Sequence, residues 1–188
     1  MMLRRSVLLA LPALAACAGL PPVETASLPA GFVEGAGDPT RAAALHAGSV
    51  FGEPARLAGQ PGTAARAIAE MEYLAVELPS SPVARNPIPT LLPQMQAARR
   101  EWRGAIGVAA DAPPQRVING LLAASRALEE GRQDALRAAL TPEVFTAGAE
   151  GTLARLSALP PLPRTAAAAA AAERSLIAPE RSPVTSTL

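Results

Sequence analysis

The stretch TAARAIAEMEYLAVEL, Thr63 to Leu78, decides the fold. Ala64, Ile68, Met71, Ala75 and Leu78 recur at alternating steps of four and three residues, which places them on one face of an α-helix. Thr63 stands where a capping side chain would accept from the first free N–H groups. Pro79 closes the run, because its ring and missing N–H cannot continue a helix. Glu70, Glu72 and Glu77 cluster near Tyr73 on the same predicted helix. Glu70 and Glu77 lie two turns apart on one side, while Glu72 points elsewhere. That spacing does not favour a close carboxylate pair for acid–base chemistry, so all three are expected to be solvated surface charges.

Working outward, helix signals repeat along the chain. Asp38-Pro39 pairs an N-cap with a proline at the first helical position and opens a helix to about Val50. Ile88 to Val108 carries Ile88, Leu91, Met95, Ala98, Trp102 and Ala105 as an apolar stripe; Pro89 and Pro93 weaken its first turns and move its start toward Thr90. Pro114 to Glu130 buries Val117, Leu121, Ala124 and Leu128, with Gly131 suited to a left-handed C-terminal cap. A short helix is expected over Asp134 to Leu140. Thr141-Pro142-Glu143 opens another, with Phe145, Ala149, Thr152, Leu156 and Leu159 on one face. Pro160-Pro161-Leu162-Pro163 ends it in an extended segment.

Seven consecutive alanines, Ala166 to Ala172, favour a helix by propensity, but offer little surface to bury, so loose docking is expected. Arg174 to Leu188 is expected to fray. The fold class is therefore all-α: an Ala-rich bundle of four to six helices over residues 38–160, followed by a Pro/Ala-rich helix and disordered tail over 161–188. No segment sustains the period-two alternation of a strand. Many alanines at the seams would let helices approach closely, and a second copy or a partner is expected to cover a remaining face.

The 188 residues are 49% hydrophobic and 18% charged, with 20 Pro and 14 Gly, and one domain is the natural expectation at this length. All 17 basic residues are Arg. Without Lys there is no P-loop, Schiff base or Ser–Lys dyad. One Cys and one His exclude an internal disulfide, multi-Cys zinc sites and two-His metal motifs. The 16 acidic residues nearly cancel the arginines, which leaves no electrostatic footprint for nucleic acid.

The front of the chain reads as an address. Met1-Met2-Leu3-Arg4-Arg5 is a short positive region, and Ser6 to Ala16 is an uncharged, mostly apolar run. A membrane-spanning helix takes roughly 20 apolar residues, so this run is too short to span and has the length of a secretory leader. It ends in Leu14-Ala15-Ala16-Cys17. This aliphatic–small–small–Cys pattern resembles the lipobox of bacterial lipoprotein precursors. The resemblance covers about a tenth of the chain. It implies a signal peptide over 1–16, cleavage before Cys17 and a diacylglyceryl thioether on Cys17. Residues 17–37, with Pro21-Pro22, Pro29, Gly31, Gly35 and Gly37 and no sustained helical period, then read as a lipidated, flexible linker. The implied partner is membrane lipid, held through acylated Cys17, and the implied location is the periplasmic side of a membrane. Ala18, rather than Asp, tilts that toward the outer membrane. Arg4-Arg5-Ser6-Val7-Leu8 also resembles a twin-arginine signal, so export is expected by the general secretory or the twin-arginine route. Braun-type lipoproteins join peptidoglycan through a C-terminal Lys, which this Lys-free chain does not have.

Candidate site residues for the rest of the chain are few. Arg99 and Arg103, one turn apart, with Arg100 and Trp102 beside them, form a candidate site for an anion or a partner: two guanidiniums can hold a phosphate or carboxylate together. The competing reading is a solvated face over a core Trp102. His46 reads as a partly exposed helix histidine. Asp111, Glu129, Glu130 and Asp134 lack the spacing of a calcium loop, and neither metal nor cofactor is expected. The leading functional expectation is a non-enzymatic envelope protein of structural or interaction type, with a partner protein or a second copy bound on apolar helix faces. A module for a small molecule or anionic lipid, with its pocket near Trp102, Arg99 and Arg103, is the alternative. A hydrolase relying on carboxylates or a Ser stands third.

Overall fold

A computed structural model describes residues 24–29, 37–81 and 89–177. These residues hold seven α-helices and no strand: α1 (Pro39–Gly52), α2 (Pro61–Glu77), α3 (Leu91–Ile106), α4 (Pro114–Glu129), α5 (Gln133–Ala139), α6 (Gly148–Ser157) and α7 (Pro163–Ile177). The protein is an all-α bundle. Cys17 and the whole leader lie outside the described residues, as does Ile88 at the head of the third predicted helix.

The bundle is organised around α2, which packs against α1, α3, α4 and α6. Eleven of its 17 residues are buried, including Ala65 and Ala69, which lie well off the expected stripe. A helix that is apolar on most of its circumference belongs inside, with neighbours on several faces. The expectation of one buried face is therefore too narrow. α2 also begins earlier than Thr63: Pro61, with its fixed φ, supplies the first turn, and Gln60 provides no side-chain cap.

Two ends follow the sequence closely. Asp38 Oδ1 accepts the Arg41 N–H at 2.8 Å, with Pro39 opening α1. Gly131, at φ +66°, follows the last turn of α4 in the left-handed region that glycine enters without steric cost. α3 starts at Leu91, close to the expected Thr90.

Two segments depart from expectation. Residues 141–147 form turns rather than the first half of a helix, and α6 occupies only Gly148–Ser157. Phe145 pairs with Val108 in an isolated antiparallel bridge, flanked by Ala109 N–H to Val144 O at 2.9 Å and Thr146 N–H to Gly107 O at 2.8 Å. A helix through 145 would forfeit those bonds and lift the Phe145 ring, which is fully buried, from beside Gly120. The second departure is α7. Ala168, Ala169 and Ala172 have no exposed surface, and α7 packs between α1 and α3. Short side chains let helix axes come close, so dispersion over backbone and Cβ atoms replaces the area a larger side chain would bury. The alanine run is thus a core element of the bundle, not a loosely docked appendage. Glu101 on α3 helps to fix it: its carboxylate accepts the Arg164 N–H at 3.2 Å and the Thr165 N–H at 2.7 Å, free donors of the first turn of α7.

Helices α4 and α5 meet at Gly120, where an added Cβ would lie 2.7 Å from Phe145 Cε2 and 2.9 Å from the Ala139 carbonyl oxygen. Gly120→Ala is expected to cost about 1–3 kcal/mol by overpacking. Gly104, in α3 with nothing within 4 Å of its would-be Cβ, is the control: Gly104→Ala is expected to gain about 0.5–1 kcal/mol from lower backbone entropy in the unfolded chain. Urea midpoints of the two variants, moving in opposite directions, check this packing.

Candidate functional site

Helix α2 carries two acidic residues that its sequence assigns to the surface and its position places in the interior. Glu70 is 2% exposed and Glu72 is fully buried. They face different neighbours, as residues two apart on a helix must. A buried carboxylate is tolerable only when its lone pairs are met by donors and its charge is opposed. Both conditions hold at each glutamate.

Glu72 faces α3. Its Oε1 accepts from Arg99 Nε at 2.9 Å and Nη2 at 2.8 Å, and from Arg103 Nη2. Oε2 accepts from Trp102 Nε1 at 2.9 Å and Arg103 Nε at 3.2 Å. Arg103 therefore grips both oxygens in the fork geometry of a guanidinium–carboxylate pair. The anion that Arg99 and Arg103 hold together is the protein's own. Neither is part of a solvated face: each is 9% exposed, and Trp102 has no exposed surface. Arg100, one residue on from Arg99, is exposed.

One carboxylate against two guanidiniums leaves the inner cluster one positive charge in excess. Glu24 supplies the balance from the extended segment 24–29, with its Oε2 2.7 Å from Arg99 Nη1. Burial alone would lower the Arg99 pKa; the hydrogen bond to Glu24 and the charges of Glu72 and Glu24 outweigh it and hold the value above the ordinary one. The rest of the segment is tied nearby: Glu77 Oε1 accepts the Ala26 N–H at 2.7 Å, and Gln115 Oε1 accepts the Ser27 N–H at 2.7 Å. Part of the sequence expected to act as a flexible linker therefore lies against the bundle. Above the arginines is a cleft of about 230 Å³, bordered by Gln96, Arg100 and Asp111 as well as Glu24.

Glu70 faces α1, where it accepts from His46 Nδ1 and, at 3.1 Å, from Arg66 Nε. His46 is partly exposed, as its position suggests, but its ring is held by a buried carboxylate. Close by, the Tyr73 and Thr40 hydroxyls share a buried hydrogen bond of 3.0 Å. Burial raises the Tyr73 pKa above its ordinary 10.0; the Thr40 bond opposes this, and the charges of Glu77 and Asp38 add to it.

A second recess, of about 470 Å³, is apolar. Phe51, Leu57, Leu159, Leu162 and the prolines of Pro160-Pro161-Leu162-Pro163 form its walls, with no charged side chain in the lining. Nothing in the sequence marks it, because its walls come from two stretches far apart in the chain, 51–58 and 159–166. Elsewhere the helices spend their apolar faces on one another: among the described residues only Leu45 and Leu92 are large hydrophobics classed as exposed. No described group of three or more His, Cys, Asp or Glu is placed to hold a metal ion, and no described helix is long and apolar enough to cross a membrane. No family model, curated protein or solved structure matches this chain.

Two predictions follow from the buried charges. Glu72→Ala leaves Arg99 and Arg103 facing each other without their carboxylate and is expected to cost about 3–5 kcal/mol, read from urea unfolding followed by Trp102 emission. Arg100→Ala should stay within about 0.5 kcal/mol of the parent. Tyr73 is the only tyrosine, so tyrosinate absorbance reports it alone. Its midpoint is expected above 10.0 in the folded protein and near that value in denaturant. The unfolded chain then loses its proton first, so this contribution is intact below pH 10.0 and is lost as pH rises through the folded pKa. Tyr73→Phe should remove that slope.

Proposed function

We propose that this chain is the precursor of a bacterial envelope lipoprotein whose helical domain is held by acylated Cys17 on the periplasmic side of a membrane, with the outer membrane favoured by Ala18. The observation that carries the reading is the order of features at the front: Arg4-Arg5, an apolar run, Leu14-Ala15-Ala16, and then the only cysteine of the chain. Two acyl chains on one residue meet the two-signal requirement for stable anchoring, since each buried methylene contributes about 0.8 kcal/mol. Export is by the general secretory or the twin-arginine route.

The domain acts by binding rather than catalysis in this reading. The apolar recess at Phe51, Leu57 and Leu162 supports it, since pockets of roughly 300–1,000 Å³ with apolar walls are typical ligand and partner sites. A second reading, a module for anionic lipids or small anions, draws on the cleft lined by Arg99, Arg100 and Arg103. It is weakened by the pairing of Arg99 and Arg103 with Glu72, and contact with a ligand would pass through the arginines rather than the buried Trp102.

Mass spectrometry of the membrane-purified protein is expected to show an N-terminal Cys17 bearing a diacylglyceryl group. Cys17→Ser should leave the protein soluble or unprocessed. A free thiol on wild-type protein, or a fully processed Cys17→Ser variant that still sediments with membranes, would overturn the anchor.

A further inference from the structure

The segment Glu24–Pro29 is held in the manner of a bound peptide. Exposure alternates along it: Ala26 and Leu28 are partly buried against the core, while Thr25, Ser27 and Pro29 are exposed. The Glu24 carboxylate, in the same register as Ala26 and Leu28, reaches Arg99. This is the period of two of an extended chain with one face on a surface. Its main chain is read as well. The Gln115 amide closes on Ser27 from both sides, accepting the N–H through Oε1 at 2.7 Å and donating through Nε2 to the carbonyl at 3.1 Å. Glu77 takes the Ala26 N–H. Main-chain bonds with contacts to alternate side chains are how grooves recognise extended peptides. Leu28 precedes Pro29, which biases it toward the extended conformation. The charge is complementary too: the groove presents the positive excess of Arg99 and Arg103 over Glu72, and the segment brings a carboxylate. These ties lie at the domain surface, and the Glu24 side chain keeps 52% of its exposure.

We propose that the groove formed by the end of α2, α3 and the start of α4 is a recognition site for an extended acidic peptide of pattern carboxylate–x–small–x–aliphatic, filled here by the chain's own Glu24–Leu28 and open to a partner segment of the same chemistry when that occupant leaves. Arg99 selects the carboxylate, and Gln115 and Glu77 fix the register. One consequence rests on the lipid-anchor reading. With Glu24 docked, six residues separate it from Cys17, a reach of about 25 Å; with the segment displaced, the leash runs to Gly37 and reaches about 70 Å. A partner peptide then lengthens the tether.

The test uses the full chain produced without lipidation, so it is independent of the anchor. The sequence has one Cys and one Trp, so an acceptor dye on Cys17 reports its distance from Trp102 by energy transfer. Synthetic ETASLP, the sequence of Glu24–Pro29, is the probe, with QTASLP as control. Wild-type protein is expected to show strong transfer that millimolar ETASLP lowers saturably, because a tethered occupant competes at an effective concentration of about millimolar. Glu24→Gln, at a half-exposed position, should lower transfer before peptide is added and bind ETASLP at least about tenfold more tightly, with QTASLP at least about tenfold weaker than ETASLP. Gln115→Ala should lower transfer and abolish peptide binding while the protein still unfolds cooperatively, its midpoint lowered only by the loss of the docked segment. Equal transfer in wild-type, Glu24→Gln and Gln115→Ala proteins would show that the segment is not held. No binding of ETASLP to Glu24→Gln protein at millimolar peptide, or equal binding of the two peptides, would likewise overturn the site.

Discussion

A carboxylate with no exposed surface sits between α2 and α3, and the arrangement of the bundle depends on it. Glu72 costs free energy to bury, and only a particular approach of α3 offsets that cost, because Arg99, Trp102 and Arg103 must all present donors to two oxygens. Rotating α3 by one residue would point Trp102 Nε1 and a guanidinium away from the carboxylate. Glu70 does the same on the opposite side, where His46 and Arg66 meet it. Two glutamates spaced two apart thus key α2 to α3 and to α1. Such pairs stabilise little against an apolar replacement, but they penalise every alternative packing that leaves a charge unmet. That selectivity matters in a bundle whose seams are largely alanine, because small uniform side chains discriminate poorly between registers.

The same cluster explains why the N-terminal segment is held at all. Two guanidiniums around one carboxylate remain attractive to a second anion at the edge of the protein. Glu24 meets that demand from residues 24–29, which belong to no helix or strand. The interior charge pattern and the surface groove are therefore one feature seen from two sides.

The helices were legible in the sequence, and several of their ends were too: Asp38 and Gly131 act through local chemistry that a few residues encode. Trp102 was legible as core because it falls on the α3 stripe. The pairing of Arg99 and Arg103 was not. Their partner lies 27 and 31 residues away on another helix, and no local period records which faces will meet. A clue exists in Ala65 and Ala69, small apolar residues on the supposed polar face of α2. Counted as apolar, they make α2 a central helix and oblige Glu70 and Glu72 to be buried. The alanine run of α7 is hidden for a related reason: the sequence displays how little area alanine can bury, whereas closeness of approach decides how an alanine face packs. Thr141-Pro142-Glu143 reads as a helix start that would carry Phe145 with it, yet Pro followed by Glu suits a turn equally well. The bridge to Val108 selects the turn.

How the ionisable groups are used also bears on what the domain can do. Its buried carboxylates are bound to arginine or histidine on their own or neighbouring helices, and Glu70 and Glu72 open onto different sides of α2. The surfaces left facing solvent in the two recesses are of another kind. One presents prolines, which lack N–H donors, and apolar walls; the other presents a guanidinium edge with Glu24 and Asp111 beside it. Surfaces of the first kind select by shape and dryness, and those of the second by charge. Both reward a partner for fitting, and the proposed binding role draws on them.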